Sequence, residues 1–190
     1  MRFFLVTLML GMPVSALADG FCDVTDVSEV HSRIAGKWHR EGSMSFVNAT
    51  TDIERPSDPY ITEFFETGLV ANKFYDDLTG AMQLADLVDT LYDVDKVDDM
   101  LDTTGRSDFA DVLSDTLCGP DQLPQLVVKI EIPVENRSQL AGAPDIGVFG
   151  TVTYVAYFDD RLLEISELTV KTDETVAFLT ETALLTPYSE

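Results

Sequence analysis

The side chains that could do chemistry in this 190-residue chain are two cysteines, two histidines and 34 carboxylates. A metal centre would need His, Cys, Asp and Glu at ligand spacing. His31 and His39 are eight residues apart, with no Glu at the spacing of a zinc-protease helix. Asp93 and Asp95 begin like a calcium-binding EF-hand loop, but Asp98 stands where Gly is needed and Thr104 where the bidentate Glu belongs. A redox or nucleophilic thiol would show close Cys spacing or a nearby base, and Cys22 and Cys118 have neither. No nucleophile elbow, phosphate-cradling glycine loop or Cys/His pairing occurs. With 34 acids, some carboxylate pair always lies close, so proximity guessed along the chain does not indicate a glycosidase. These residues point to a non-enzymatic protein with no catalytic residues, no metal and no cofactor.

The cysteines take their meaning from the first 18 residues. Met1 and Arg2 make a positive start, Phe3 to Met12 an apolar run, and Ala16, Leu17 and Ala18 a small-x-small cleavage pattern, as in a secretory signal peptide. Export to the periplasm or the extracellular space is expected, with residues 19–190 forming a single domain. In an oxidising compartment Cys22 and Cys118 read as a disulfide closing a loop of about a hundred residues, worth up to ~4–5 kcal/mol in the chain-entropy model. No later stretch reaches the ~20 apolar residues of a membrane span. The formal net charge is −22, and removing a segment with one base, Arg2, and no acid makes it −23. With no basic stripe to release counterions, nucleic acid is excluded as a partner. Hydrophobic residues make up 45% of the chain, 11 of them Phe, which excludes a disordered acidic tail. Asn48 and Asn136 stand in Asn-x-Ser/Thr sequences that become glycan acceptors only in a glycosylating host.

The periodicity predicts mainly β structure (α+β). From Ile34 the residues alternate: Trp38, Met44 and Phe46 share one parity with Arg40 and Gly42, while Lys37, His39, Glu41, Ser43 and Ser45 take the other. A turn-rich stretch, 48–59, follows. Residues 60–66 and 69–75 read as two strands joined near Thr67 and Gly68. Residues 126–134, 148–158, 162–171 and 175–185 read as four more, with tight turns at Asp159–Asp160 and Asp173–Glu174. Short connections imply an antiparallel meander of about seven strands, barrel-like and apolar on both faces. Between these blocks Leu84, Leu87, Val88, Leu91, Val94, Val97 and Leu101 recur at three- and four-residue steps, predicting a helical insertion at about 80–118. A second short helix fits Ser107 to Leu117. Ten acids lie from Asp86 to Asp115 against only Lys96 and Arg106, a surface that would suit a basic protein partner.

Ile34, Ala35, Gly36, Lys37 and Trp38, at the start of the first strand, resemble the Gly-x-Trp signature of the lipocalin-like barrels. The Thr62 to Val70 segment, with Glu63, Phe64 and Gly68, is similar to the strand-turn-strand that follows it in bacterial members, and the terminal meander fits their closing strands. The resemblance implies that Trp38 closes one end of a barrel and that a small apolar ligand occupies the other. Trp38, Met44, Phe46, Phe64, Tyr154 and Phe178 are the candidate lining residues. The expected function is that of an exported binding protein for a small hydrophobic molecule. The alternative is a secreted acidic interaction module without a ligand cavity.

Overall fold

The computed structural model describes residues 20–72, 84–86, 88–90, 122–132, 146–172 and 174–189. The expected signal segment, Cys118, the expected second helix, Asn136 and the acidic stretch beyond Thr90 lie outside the described residues.

A helix, α1 (Val27–Ile34), precedes the sheet, where the alternation alone suggested only a strand beginning at Ile34. Its cap is Asp26, whose carboxylate accepts from Ser28 N at 2.9 Å. Glu29 in the first turn and His31 and Arg33 in the last complement the helix dipole. Val27, Val30 and Ile34 form the stripe that packs on the core.

Ten strands are found among the described residues, all antiparallel: β1 (Gly36–Val47), β2 (Asp52–Pro56), β3 (Tyr60–Phe64), β4 (Leu69–Asn72), β5 (Leu84–Asp86), β6 (Val88–Thr90), β7 (Gln125–Ile132), β8 (Gly147–Phe158), β9 (Arg161–Lys171) and β10 (Val176–Pro187). Nine of them run in the order β5-β4-β3-β1-β10-β9-β8-β7-β6, and β2 pairs with β1. The architecture is therefore a curled antiparallel sheet, a half-barrel, as the alternation predicted. The seven expected strands correspond to β1, β3, β4 and β7–β10. Their turns follow the sequence too. Phe65 N donates to Leu69 O at 2.9 Å and Gly68 N to Phe65 O at 2.8 Å, with Gly68 at φ +83°.

Two expectations are corrected. The turn-rich stretch 48–59 contains β2, an exposed strand returning along β1 after a turn in which Asn48 Oδ1 accepts from Thr50 N at 2.9 Å and Thr51 N at 2.8 Å. Leu84–Asp86 and Val88–Thr90, which open the predicted helical insertion, are strands β5 and β6. β5 pairs with β4 and β6 with β7, so hydrogen bonds to waiting sheet edges override the three-and-four spacing of Leu84, Leu87 and Val88. These are the first and last strands of the sheet order, yet only residue 87 separates them.

The inner face of the curl is built from Trp38, Phe64, Leu126, Val152, Tyr154, Leu162 and Leu185, with Phe21, Val30 and Ile34 added from the N-terminal segment. Arg33 ties that segment down: its guanidinium lies 4.0 Å from the centroid of the Phe21 ring and 2.7 Å from Asp159 in the β8–β9 turn. Asp23 N donates to Gln122 O at 3.0 Å beside the start of β7. The opposite face is also buried over β8–β9, where Val155, Leu163 and Ile165 are shielded, in keeping with strands that are apolar on both sides. Gly150, at φ +151°, lies so close to β9 that a Cβ there would overlap the Glu167 carbonyl.

Candidate functional site: a buried ion triad on the concave face

The side chains with chemical capacity inside the curl come from three strands. On β1 the inner parity reads Trp38, Arg40, Gly42, Met44 and Phe46. Register places Gly42 opposite Ala183, Ala183 opposite Glu164, and Glu164 opposite Tyr154, so one row crosses β1, β10, β9 and β8. The next row carries Met44, Glu181, Ser166 and Val152. Gly42 and Ala183 are the smallest residues of the first row. A Cβ at Gly42 would collide with the β10 backbone and with the Ala183 methyl. That low spot leaves room for Arg40 to extend along the strand axis toward the acids of the two rows.

The guanidinium of Arg40 is fully buried, with Nε donating to Glu164 Oε1 at 2.9 Å and Nη2 lying 2.7 Å from Glu181 Oε1. Nη1 donates to Ser57 Oγ at 3.0 Å, and the guanidinium carbon lies 4.6 Å from the centroid of the Tyr60 ring. Ser166 Oγ donates to Glu164 Oε1 at 3.4 Å. The second oxygen of Glu164, Oε2, is buried without a hydrogen-bond partner among the described residues, as is Thr62 Oγ1 on β3.

Burial raises the pKa of Glu164 above the ordinary carboxylate value; Arg40 opposes the shift and Glu181 reinforces it. Burial also works against the charge on Arg40, but Glu164, Tyr60 and Glu181 overcome it and hold its pKa above the ordinary arginine value. The cluster therefore has one certain cation and two carboxyls competing for it. Among the described residues Arg40 Nη2 is likewise buried without a hydrogen-bond partner, and no group of three His, Cys, Asp or Glu could hold a metal ion. His31 packs its ring against Gly68, while His39 sits at the surface, 3.7 Å from Glu41.

Three of the candidate lining residues meet. Phe64 lies edge-on between Trp38, at 6.4 Å between ring centroids, and Tyr154, at 4.9 Å, with interplanar angles of 88° and 87°. All three are buried, and Trp38 Nε1 donates to Ile34 O at 2.7 Å, fastening the strand start to the end of α1. Together they form a buried aromatic cluster at the α1 end of β1. Met44 and Phe46 lie on the same inner parity beyond the ion triad and are half-buried. Phe178 departs from the set: it pairs with Val47 on the outer parity and is 58% exposed, whereas Leu179 takes the inner position next to it. Cys22 is disulfide-bonded, and no free cysteine is found among the described residues.

The triad itself was not singled out from the sequence. Its signal is three charges on apolar parities: Arg40 between Trp38 and Met44, Glu164 between Leu162 and Leu168, and Glu181 between Leu179 and Ala183. Comparison with protein-family models, with curated proteins and with solved structures found no match for this chain.

Proposed function

We propose that this protein is an exported, non-enzymatic, lipocalin-like binding module whose concave face takes a small molecule with an apolar body. The observation that carries the reading is the asymmetry of the curl along β1. On one side of the triad, Trp38, Phe64, Phe21 and the α1 residues Val30 and Ile34 are packed out of contact with water. On the other side, the inner-face residues Met44, Phe46 and Leu179 are only partly buried, and Ile53, opposite Phe46 on β2, is exposed. Partly covered apolar side chains above a polar layer are what a site for a small apolar molecule offers. Trp38, two residues after Gly36 and buried in the aromatic cluster, fits the lipocalin-like arrangement, with the ligand at the far end.

The test is a native mass spectrum of the mature chain with displacement of an environment-sensitive apolar dye. A co-purifying adduct of lipid size, or dye displaced by an apolar ligand and lost in Phe46→Asp, supports the reading. No adduct and no dye uptake would sink it. Export is checked by fractionating cells that express the full chain, where processing after Ala18 and recovery outside the cytoplasm are expected.

A further inference from the structure

The triad holds one base and two acids, and the base is already committed. Arg40 donates to Glu164 with Nε and to Ser57 with Nη1; its Nη2 is ion-paired with Glu181 at 2.7 Å without the alignment of a hydrogen bond, and Tyr60 lies against its face. Glu164 is 1% exposed and its Oε2 is unpartnered. A buried acceptor without a donor costs about 1–3 kcal/mol, more when charged. Replacing such a cluster by apolar residues is often neutral or stabilising, so the fold does not need it. We propose that the triad is a head-group site for the protonated primary amine of an amphipathic molecule, whose tail runs past Met44 and Phe46 toward the open end. This deepens the binding-module reading and rests on it.

The chemistry selects the head group. An ammonium carries three donors and no acceptor, which matches the free oxygen of Glu164 and the neighbouring Glu181 carboxylate. Its charge cancels the surplus acid. A carboxylate head would add a third acid beside a guanidinium already ion-paired to two, and an alcohol would leave the surplus charge in place. The groups facing Glu164 are Arg40 from β1, Tyr60 from β3 across the guanidinium, Tyr154 from β8, Ser166 on its own strand and Glu181 from β10; Arg40 is the one cation among them. On this proposal a proton on Glu164, whose pKa is raised by burial, neutralises the surplus in the free protein. An incoming ammonium replaces that proton: the Glu164 O–H bond breaks, its proton passes to solvent, and the carboxylate takes the ammonium N–H as its donor. Amine affinity therefore rises with pH until the amine itself deprotonates.

The experiment is calorimetric titration of the mature protein with dodecylamine, dodecanol and dodecanoate below their micellar concentrations, in two buffers of different ionisation enthalpy. Dodecylamine should bind at least about tenfold more tightly than dodecanol, the worth of one charge-assisted hydrogen bond. Dodecanoate should bind most weakly, and only the amine should release a proton. In Glu164→Gln the amine should lose its advantage and its proton release while dodecanol binding persists; Glu181→Gln should reduce the advantage. Dodecanoate binding as tightly as the amine, or amine binding with no proton released, overturns the proposal and leaves the binding module standing. No binding of any of the three removes the binding module and the proposal together. The ranking and the proton count in the unmodified protein decide the matter if the variants do not fold.

Discussion

Arg40→Met is the most informative single change. It removes the guanidinium that sits 2.9 Å from Glu164 and 2.7 Å from Glu181 and donates to Ser57 at 3.0 Å, leaving two acids on adjacent rows with no cation between them. Breaking a buried pair by deleting one partner costs about 3–5 kcal/mol, because the survivor stays buried and uncompensated. For a domain of this size each kcal/mol moves Tm by about 2–4 °C, so a fall of roughly 6–20 °C is expected. The triple change Arg40→Met, Glu164→Leu, Glu181→Leu removes every charge and fills the space with apolar groups. It should unfold between the unmodified stability and about 4 kcal/mol above it. The triple variant is then more stable than the single one, a non-additivity of several kcal/mol. Urea unfolding at neutral pH measures all three, provided the slope with denaturant is unchanged. Glu29→Ala is the control: Glu29 is half-exposed and 3.4 Å from Arg33, so its loss should cost no more than about 0.5 kcal/mol. A cost below about 1 kcal/mol for Arg40→Met, or a triple variant no more stable than the single one, would show that Arg40 does not compensate the two buried acids.

Three further outcomes are expected. Because Glu164 has a raised pKa in the folded state, the fold holds a proton there that the unfolded chain releases. Its contribution to stability is complete below the ordinary carboxylate pKa and is lost as pH rises through the folded value. Glu164→Gln should therefore gain stability relative to the unmodified protein as pH rises across that interval, and parallel denaturation curves at every pH would show that Glu164 is not so held. Gly150→Ala should lose about 1–3 kcal/mol or more in thermal melts, since φ +151° and the Glu167 carbonyl both oppose a Cβ; an unchanged Tm would contradict the close β8–β9 approach. Peptide mass mapping of the non-reduced mature protein should recover Cys22 linked to Cys118, with reduction costing about 2–5 kcal/mol; two alkylatable thiols would show the link absent.

The strands were legible where one face is wet or where a turn residue is chemically required. Trp38 to Phe46 alternated as β1 does, and Gly68 marked the β3–β4 turn by its tolerance of positive φ. Helix α1 left a readable signal that the strand alternation overshadowed: Asp26 as cap, Glu29 three residues on, and Val27, Val30 and Ile34 on one stripe. Leu84 to Thr90 misled because three-and-four spacing over a few residues does not separate a helix from two short strands. Partners on β4 and β7 made the choice. Of the lining residues, Phe178 misled for a related reason: its neighbour Leu179 is also apolar, and only pairing with β1 and β9 decides which of the two faces inward.

What the sequence determined by itself is local: which residues share a face of each strand, where the turns fall, and that Arg40, Glu164 and Glu181 occupy apolar parities. A period of two is a property of the strand backbone and needs no partner. What only the tertiary structure decided is that these three charges meet. Arg40 and Glu164 are 124 residues apart, and β10 enters between β1 and β9, so their approach depends on the register of two antiparallel pairings and on the low spot left by Gly42 and Ala183. Register is set by the burial of whole faces across the sheet, and no stretch of the chain encodes it alone.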